Sequence, residues 1–155
     1  MRGSGAHNSL RPSLLYLMPD DDLRKLLRYL LSVLYIAAGL FHILVPRPFT
    51  LIIPDWVPYP FATVVFTGVC EIAGGVGLLI PVLRRAAGLM LAVYAVCVFP
   101  ANLRHALEGI DVAPIPNSWW YHAPRLALQP LLIWLPLYST SLITWPIRRH
   151  PNGDP

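Results

Sequence analysis

The feature that most constrains this chain is a succession of four apolar segments, at 26–45, 61–83, 86–105 and 123–143. Each is about 20 residues long, roughly the length an α-helix needs to cross a bilayer. Prolines and charges punctuate them. Asp20, Asp21 and Asp22 precede the first and suit a helix N-terminus. Pro46 and Pro48 follow it, Arg84 and Arg85 separate the second from the third, and Arg148 and Arg149 follow the fourth. Hydrophobic residues make up 55% of the 155-residue chain and charged residues 13%, too few charges to clothe a water-soluble domain of this size. These observations predict an all-α polytopic membrane protein, a four-helix bundle occupying 23–145, with tails at 1–22 and 146–155. Pro100 predicts a kink in the third span, and Pro130 and Pro136 interrupt the fourth.

The connections predict an orientation. Segments 45–60 and 107–121 are rich in proline and carry Trp56, Tyr59, Trp119, Trp120 and Tyr121, residue types that favour the membrane–water boundary. They read as compact interfacial loops. Of the 12 Lys and Arg residues, Arg2, Arg11, Arg24, Lys25, Arg28, Arg84, Arg85, Arg148 and Arg149 fall on the side of the termini. Arg47, Arg104 and Arg125 fall on the other. The positive-inside rule then predicts both termini in the cytosol and, in a bacterium, a multi-pass inner-membrane protein with two periplasmic loops. The apolar run 14–18 is too short for a signal-peptide core.

Polar residues within the spans are the candidates for function. Glu71 lies about ten residues into the second span, which at about 1.5 Å per residue is near mid-bilayer. An unpaired charge there costs roughly 3 kcal/mol, so Glu71 must be protonated, paired or facing water. Gly68, Gly74 and Gly75 share its face, which favours close helix packing and an inward-pointing carboxyl. Tyr35, Gly39 and His42 share a face of the first span, Asn102 closes the third, and Arg125 and Gln129 are i, i+4 neighbours in the fourth. These depths suggest one network: Glu71 with Arg125 or Gln129, flanked by His42 and Asn102. Arg104 and His105 read as interfacial anchors.

Several chemistries find no signal. His42, His105 and His122 lack tight ligand spacing, so no metal site is expected. Cys70 and Cys97 form no Cys-x-x-Cys motif and read as unreactive thiols. Gly74, Gly75 and Gly77 lie in an apolar helix, not a phosphate loop, and nothing suggests nucleic-acid binding.

Four stretches carry a family resemblance. They are Gly39 to His42 followed by Pro46 and Pro48; Gly68, Val69, Cys70 and Glu71 running on to Pro81, Arg84 and Arg85; Val98, Phe99, Pro100, Ala101 and Asn102; and Arg125 to Gln129. In these the chain resembles DoxX-like membrane proteins, of the DoxX/DoxD/MauE group. It departs at Ala127, where relatives often carry proline. The resemblance implies a four-helix bacterial inner-membrane protein and highlights His42, Glu71, Asn102, Arg125 and Gln129. Together with the depth argument it suggests a redox-linked membrane subunit. Glu71 and His42 would form a proton relay, and Arg125, Gln129, Asn102 and Tyr35 would bind a substrate or cofactor. No cofactor is encoded, so a quinone or an oxidoreductase partner protein would supply the redox chemistry. Two alternatives stand beside it. One is a non-enzymatic anchor or assembly subunit for an extracytoplasmic partner. The other is a small solute or ion permeation protein, which would need to oligomerise.

Overall fold

The computed structural model describes residues 20–112 and 116–144; apart from 20–22, the expected tails lie outside them. Every element among the described residues is helical: α1 Asp20–Leu44, α2 Pro46–Thr50, α3 Pro60–Leu79, α4 Arg84–Glu108, α5 Trp119–Ala127 and α6 Gln129–Ser139. Three of them, α1, α3 and α4, are long and apolar enough to cross a membrane. Their outward faces carry exposed apolar side chains such as Val33, Phe66, Leu89 and Val96, the reverse of a water-soluble bundle.

The fourth apolar segment is not one helix. It divides at Leu128 into α5 and α6. Pro130 explains the break, because it offers no N–H to the carbonyl four residues back and its ring crowds that carbonyl. The chain nevertheless continues in a near-helical path. Leu128 has φ −77° and ψ −12°, and its N–H donates to Pro124 O at 2.9 Å. Pro100, by contrast, lies inside α4 without ending it.

The linkers also follow from local chemistry. Val45 precedes a proline, which disfavours helical backbone, and its φ −131° and ψ 62° end α1. Pro46 then starts the short helix α2 where a simple loop was expected. Arg84 and Arg85 do not form the turn between α3 and α4; residues 80–83 do, and Arg84 begins α4. Its Nε donates back to Leu78 O at 3.3 Å, near the end of α3. Gly109, at φ 59°, closes α4 in the left-handed conformation that glycine adopts without strain.

The helices form a ring in which α1 and α4 each pack against α3 and α6, while α1 and α4 meet across it only through side chains such as Tyr35 and Tyr94. The closest approach is between α1 and α3, at two glycines. A Cβ on Gly39 would stand 2.5 Å from Gly68 O, and one on Gly68 would stand 2.8 Å from Gly39 O. Gly75 lies against Ser32 and Ile36 of α1, and Gly74 against Leu91 and Met90 of α4. The buried core, Leu31, Tyr35, Leu78, Ala87 and Leu91, lies toward the end where α1 begins and α6 finishes, here called the terminal end. The opposite end carries α2 and the two loops and is called the loop end.

The terminal end is also fastened by arginines. Arg24, only 6% exposed, donates to the backbone carbonyl of Tyr138, to Ser141 Oγ at 3.1 Å and to Ile143 O at 3.4 Å. Its guanidinium lies 4.2 Å from the Tyr138 ring centroid. Arg28 donates to Ser139 O at 2.7 Å. Carbonyls at a helix C-terminus lack partners within the helix and sit at the negative end of its dipole, so two guanidinium groups stabilise the end of α6.

Candidate functional site

The Gly39–Gly68 crossing sets the site. His42 lies one turn beyond Gly39 toward the loop end, and Glu71 one turn beyond Gly68 toward the terminal end. Side chains on a helix lean toward its N-terminus. Because α1 and α3 run in opposite directions, His42 and Glu71 lean toward each other across the crossing. His42 Nδ1 and Glu71 Oε2 meet at 2.5 Å, with side-chain exposures of 19% and 6%. Phe49 of α2 stands edge-on to the imidazole, 4.2 Å between ring centroids. On the other side Tyr94 of α4 faces the side chains of Glu71 and Thr67. Tyr35 packs edge-on against Tyr94 at 6.4 Å, and its buried hydroxyl has no hydrogen-bond partner among the described residues.

A second polar group lies on α4, α5 and α6. Gln129 is 3% exposed and bridges two helices. Its Oε1 accepts from Asn102 Nδ2 at 3.2 Å, and its Nε2 donates to Ala95 O at 2.5 Å. Arg125 donates to Asn102 O at 3.1 Å and weakly to Tyr121 Oη at 3.4 Å, with its guanidinium 5.1 Å from the Tyr121 ring centroid. Its Nε is buried and has no hydrogen-bond partner among the described residues.

Between the two groups lies a cavity of about 660 Å³ in the loop-end half of the bundle. His42, Glu71, Tyr35 and Tyr94 wall one part of it, and Asn102, Gln129, Arg125 and Tyr121 another. Most of the remaining wall is apolar, including Val64, Met90, Val98 and Leu132. Ile52, Ile53, Pro54, Trp56 and Val57 contribute from the 51–59 connection. That connection is tied down by Arg104, which donates to Ile53 O and to Asp55 Oδ1 (2.9 Å) while also pairing with Glu108 at 2.9 Å.

The structure thus brings all six site residues named from the sequence to one cavity, but not in the network expected. Glu71 pairs with His42, and neither Arg125 nor Gln129 reaches it through any hydrogen bond or ion pair found among the described residues. The reason is directional: the Gly39–Gly68 contact joins α1 to α3, whereas the backbones of α3 and α6 lie diagonally across the ring. His105 is no interfacial anchor. It is fully buried, 4.6 Å from the His122 ring and outside the cavity wall. Arg104 fastens a loop instead of merely facing an interface. Sequence reasoning missed Tyr94 and Tyr121. Tyr94 was legible: it lies eight residues before Asn102, close to two helical turns and a bit, hence on the same side of α4.

Chemically, the His42–Glu71 contact holds one proton between an imidazole nitrogen and a carboxyl oxygen, carried by either partner. The total charge is the same in both forms. A proton can therefore cross the contact in a low-dielectric setting without creating net charge, which an isolated carboxylate cannot do. Among the described residues no group of three or more His, Cys, Asp or Glu side chains is placed to hold a metal ion.

A family model described as a domain of unknown function (DUF8561) matches residues 31–139, from within α1 to the end of α6. No curated protein matches the chain, and no solved structure matches it.

Proposed function

The chain belongs to the DUF8561 family, and for this member we propose a quinone-associated, redox-linked subunit of the bacterial inner membrane. In this reading α1, α3 and α4 cross the bilayer, and α5 with α6 makes the fourth crossing. The arginine distribution puts both termini in the cytosol, so the cavity opens within the outer half of the bilayer. The observation that carries the reading is the His42–Glu71 hydrogen bond on the wall of a mostly apolar cavity. A quinone ring needs an apolar slot and hydrogen-bond donors at its carbonyl oxygens. Arg125, Asn102 and Tyr35 offer donors, and Gln129 holds Asn102 in place. Reduction to the quinol takes two electrons and two protons. The electrons come from an oxidoreductase partner, and the protons pass in turn through His42 and Glu71 to the quinone oxygens. The resemblance to DoxX-like proteins supports the same assignment.

The test has two parts. The protein is isolated from its native membrane in mild detergent, and co-purifying quinone and protein are identified by mass spectrometry. Quinone-linked turnover of that preparation is then compared with Glu71→Gln. The expected result is a stoichiometric quinone, an oxidoreductase partner and loss of turnover in a folded variant. Unchanged turnover sinks the proton relay.

One observation favours a second reading. Trp56, Trp119 and Trp120 are 75%, 60% and 92% exposed at the loop end, a surface suited to an interface headgroup layer or a docked extracytoplasmic partner. Under that anchor reading, Glu71→Gln changes stability alone and deletion of 112–121 abolishes complex formation.

A further inference from the structure

The cavity wall has one weak side. The backbones of α3 and α4 come close toward the terminal end, where Gly74 meets Leu91 and Gly77 meets Ala87. Toward the loop end, Cys70 on α3 and Val98 and Ala101 on α4 line the cavity, and Tyr94 reaches across it to Thr67 and Glu71. Wall residues that are also exposed on the outside of the bundle concentrate at this seam. Among the described residues they are Phe66 on α3 and Val93, Cys97 and Pro100 on α4, against Leu34 on α1 and Trp56 on the 51–59 connection. Measured along their helices, Phe66 lies about 9 Å and Val93 about 22 Å from the loop end, both at hydrocarbon depth.

Polarity grades along this seam. The exposed positions are apolar or a thiol, while the buried depth of the cavity holds Glu71 and Gln129. The direct route from the aqueous side runs past the 51–59 connection, which Arg104 ties to α4. We propose that the ligand enters sideways from the bilayer, between the loop-end halves of α3 and α4. It is a single-tailed amphiphile whose polar ring lies between the His42–Glu71 and Asn102–Arg125 groups and whose apolar tail leaves between Phe66 and Val93. This rests on reading the cavity as the quinone site and adds the tail and the route.

The test uses the full-length protein in lipid nanodiscs and two probes, ubiquinone-10 and the tailless duroquinone. Val93→Trp fills the seam from a lipid-facing position. It is expected to slow ubiquinone-10 exchange by about tenfold or more, while duroquinone affinity changes by less than about threefold. Alkylating exposed Cys97 in the wild-type protein with a lipid-soluble maleimide should slow ubiquinone-10 in the same way, with no mutation to perturb folding. Arg104→Ala, which frees the connection, should leave ubiquinone-10 exchange within about twofold. Unchanged ubiquinone-10 exchange in Val93→Trp, or faster exchange in Arg104→Ala alone, overturns the lateral route and leaves the site standing. Failure of the wild-type protein to bind either quinone overturns the site and the route together.

Discussion

The two ends of this bundle are built from the same helices and differ in what fills the space between them. At the terminal end, glycine and alanine let backbones approach, the core is packed, and Arg24, Arg28 and Arg84 satisfy helix carbonyls. At the loop end the helices enclose a cavity of about 660 Å³ with polar groups on its wall. Helices in lipid gain little from hydrophobic contact with each other, so association rests on close packing and hydrogen bonds. The terminal end supplies both and leaves the loop end free to stay open. Stability and the candidate chemistry thus occupy different halves, joined where Gly39 crosses Gly68.

That division is open to direct attack, and the largest effect belongs to the crossing. Gly39→Leu would drive a side chain into the Gly68 backbone and Ile72. Overpacking against backbone cannot relax by a rotamer change, so a loss of about 3 kcal/mol or more is expected, read as a collapse of the unfolding midpoint in detergent. Arg24→Met comes next. It removes charge-assisted bonds to the end of α6 and should cost about 2–3 kcal/mol while leaving quinone affinity unchanged, a pairing of results that separates the two ends.

At the loop end, Arg104→Ala cuts the tie to Ile53 and Asp55. The partner carboxylates are solvent-exposed, so the same midpoint should fall only slightly. Faster amide exchange across 51–59 should accompany it.

Much of this was legible in the sequence, for identifiable reasons. Helical periodicity put Tyr35, Gly39 and His42 on one face, and three-residue spacing put Gly68 beside Glu71. The i, i+4 pair Arg125 and Gln129 faces Asn102 as their common depth implies. Partner choice was not legible, because it depends on which helices are adjacent in the ring; depth alone pointed Glu71 to Arg125 or Gln129 and left His42, its actual partner, on the flank. Arg24 and Arg28 read only as charges that orient the chain, since nothing local announces that a helix C-terminus more than 100 residues away will need capping. The proline content of the fourth segment announced an interruption but not that Leu128 would be its site.

The most direct test of the account is infrared difference spectroscopy of the protein in nanodiscs, recorded while bound quinone is reduced electrochemically. The account predicts a carboxyl C=O band that changes on reduction, vanishes in Glu71→Gln and shifts in His42→Gln. A wild-type spectrum with bound quinone and no carboxyl change would contradict it, and would leave the His42–Glu71 contact as a fastening between two helices.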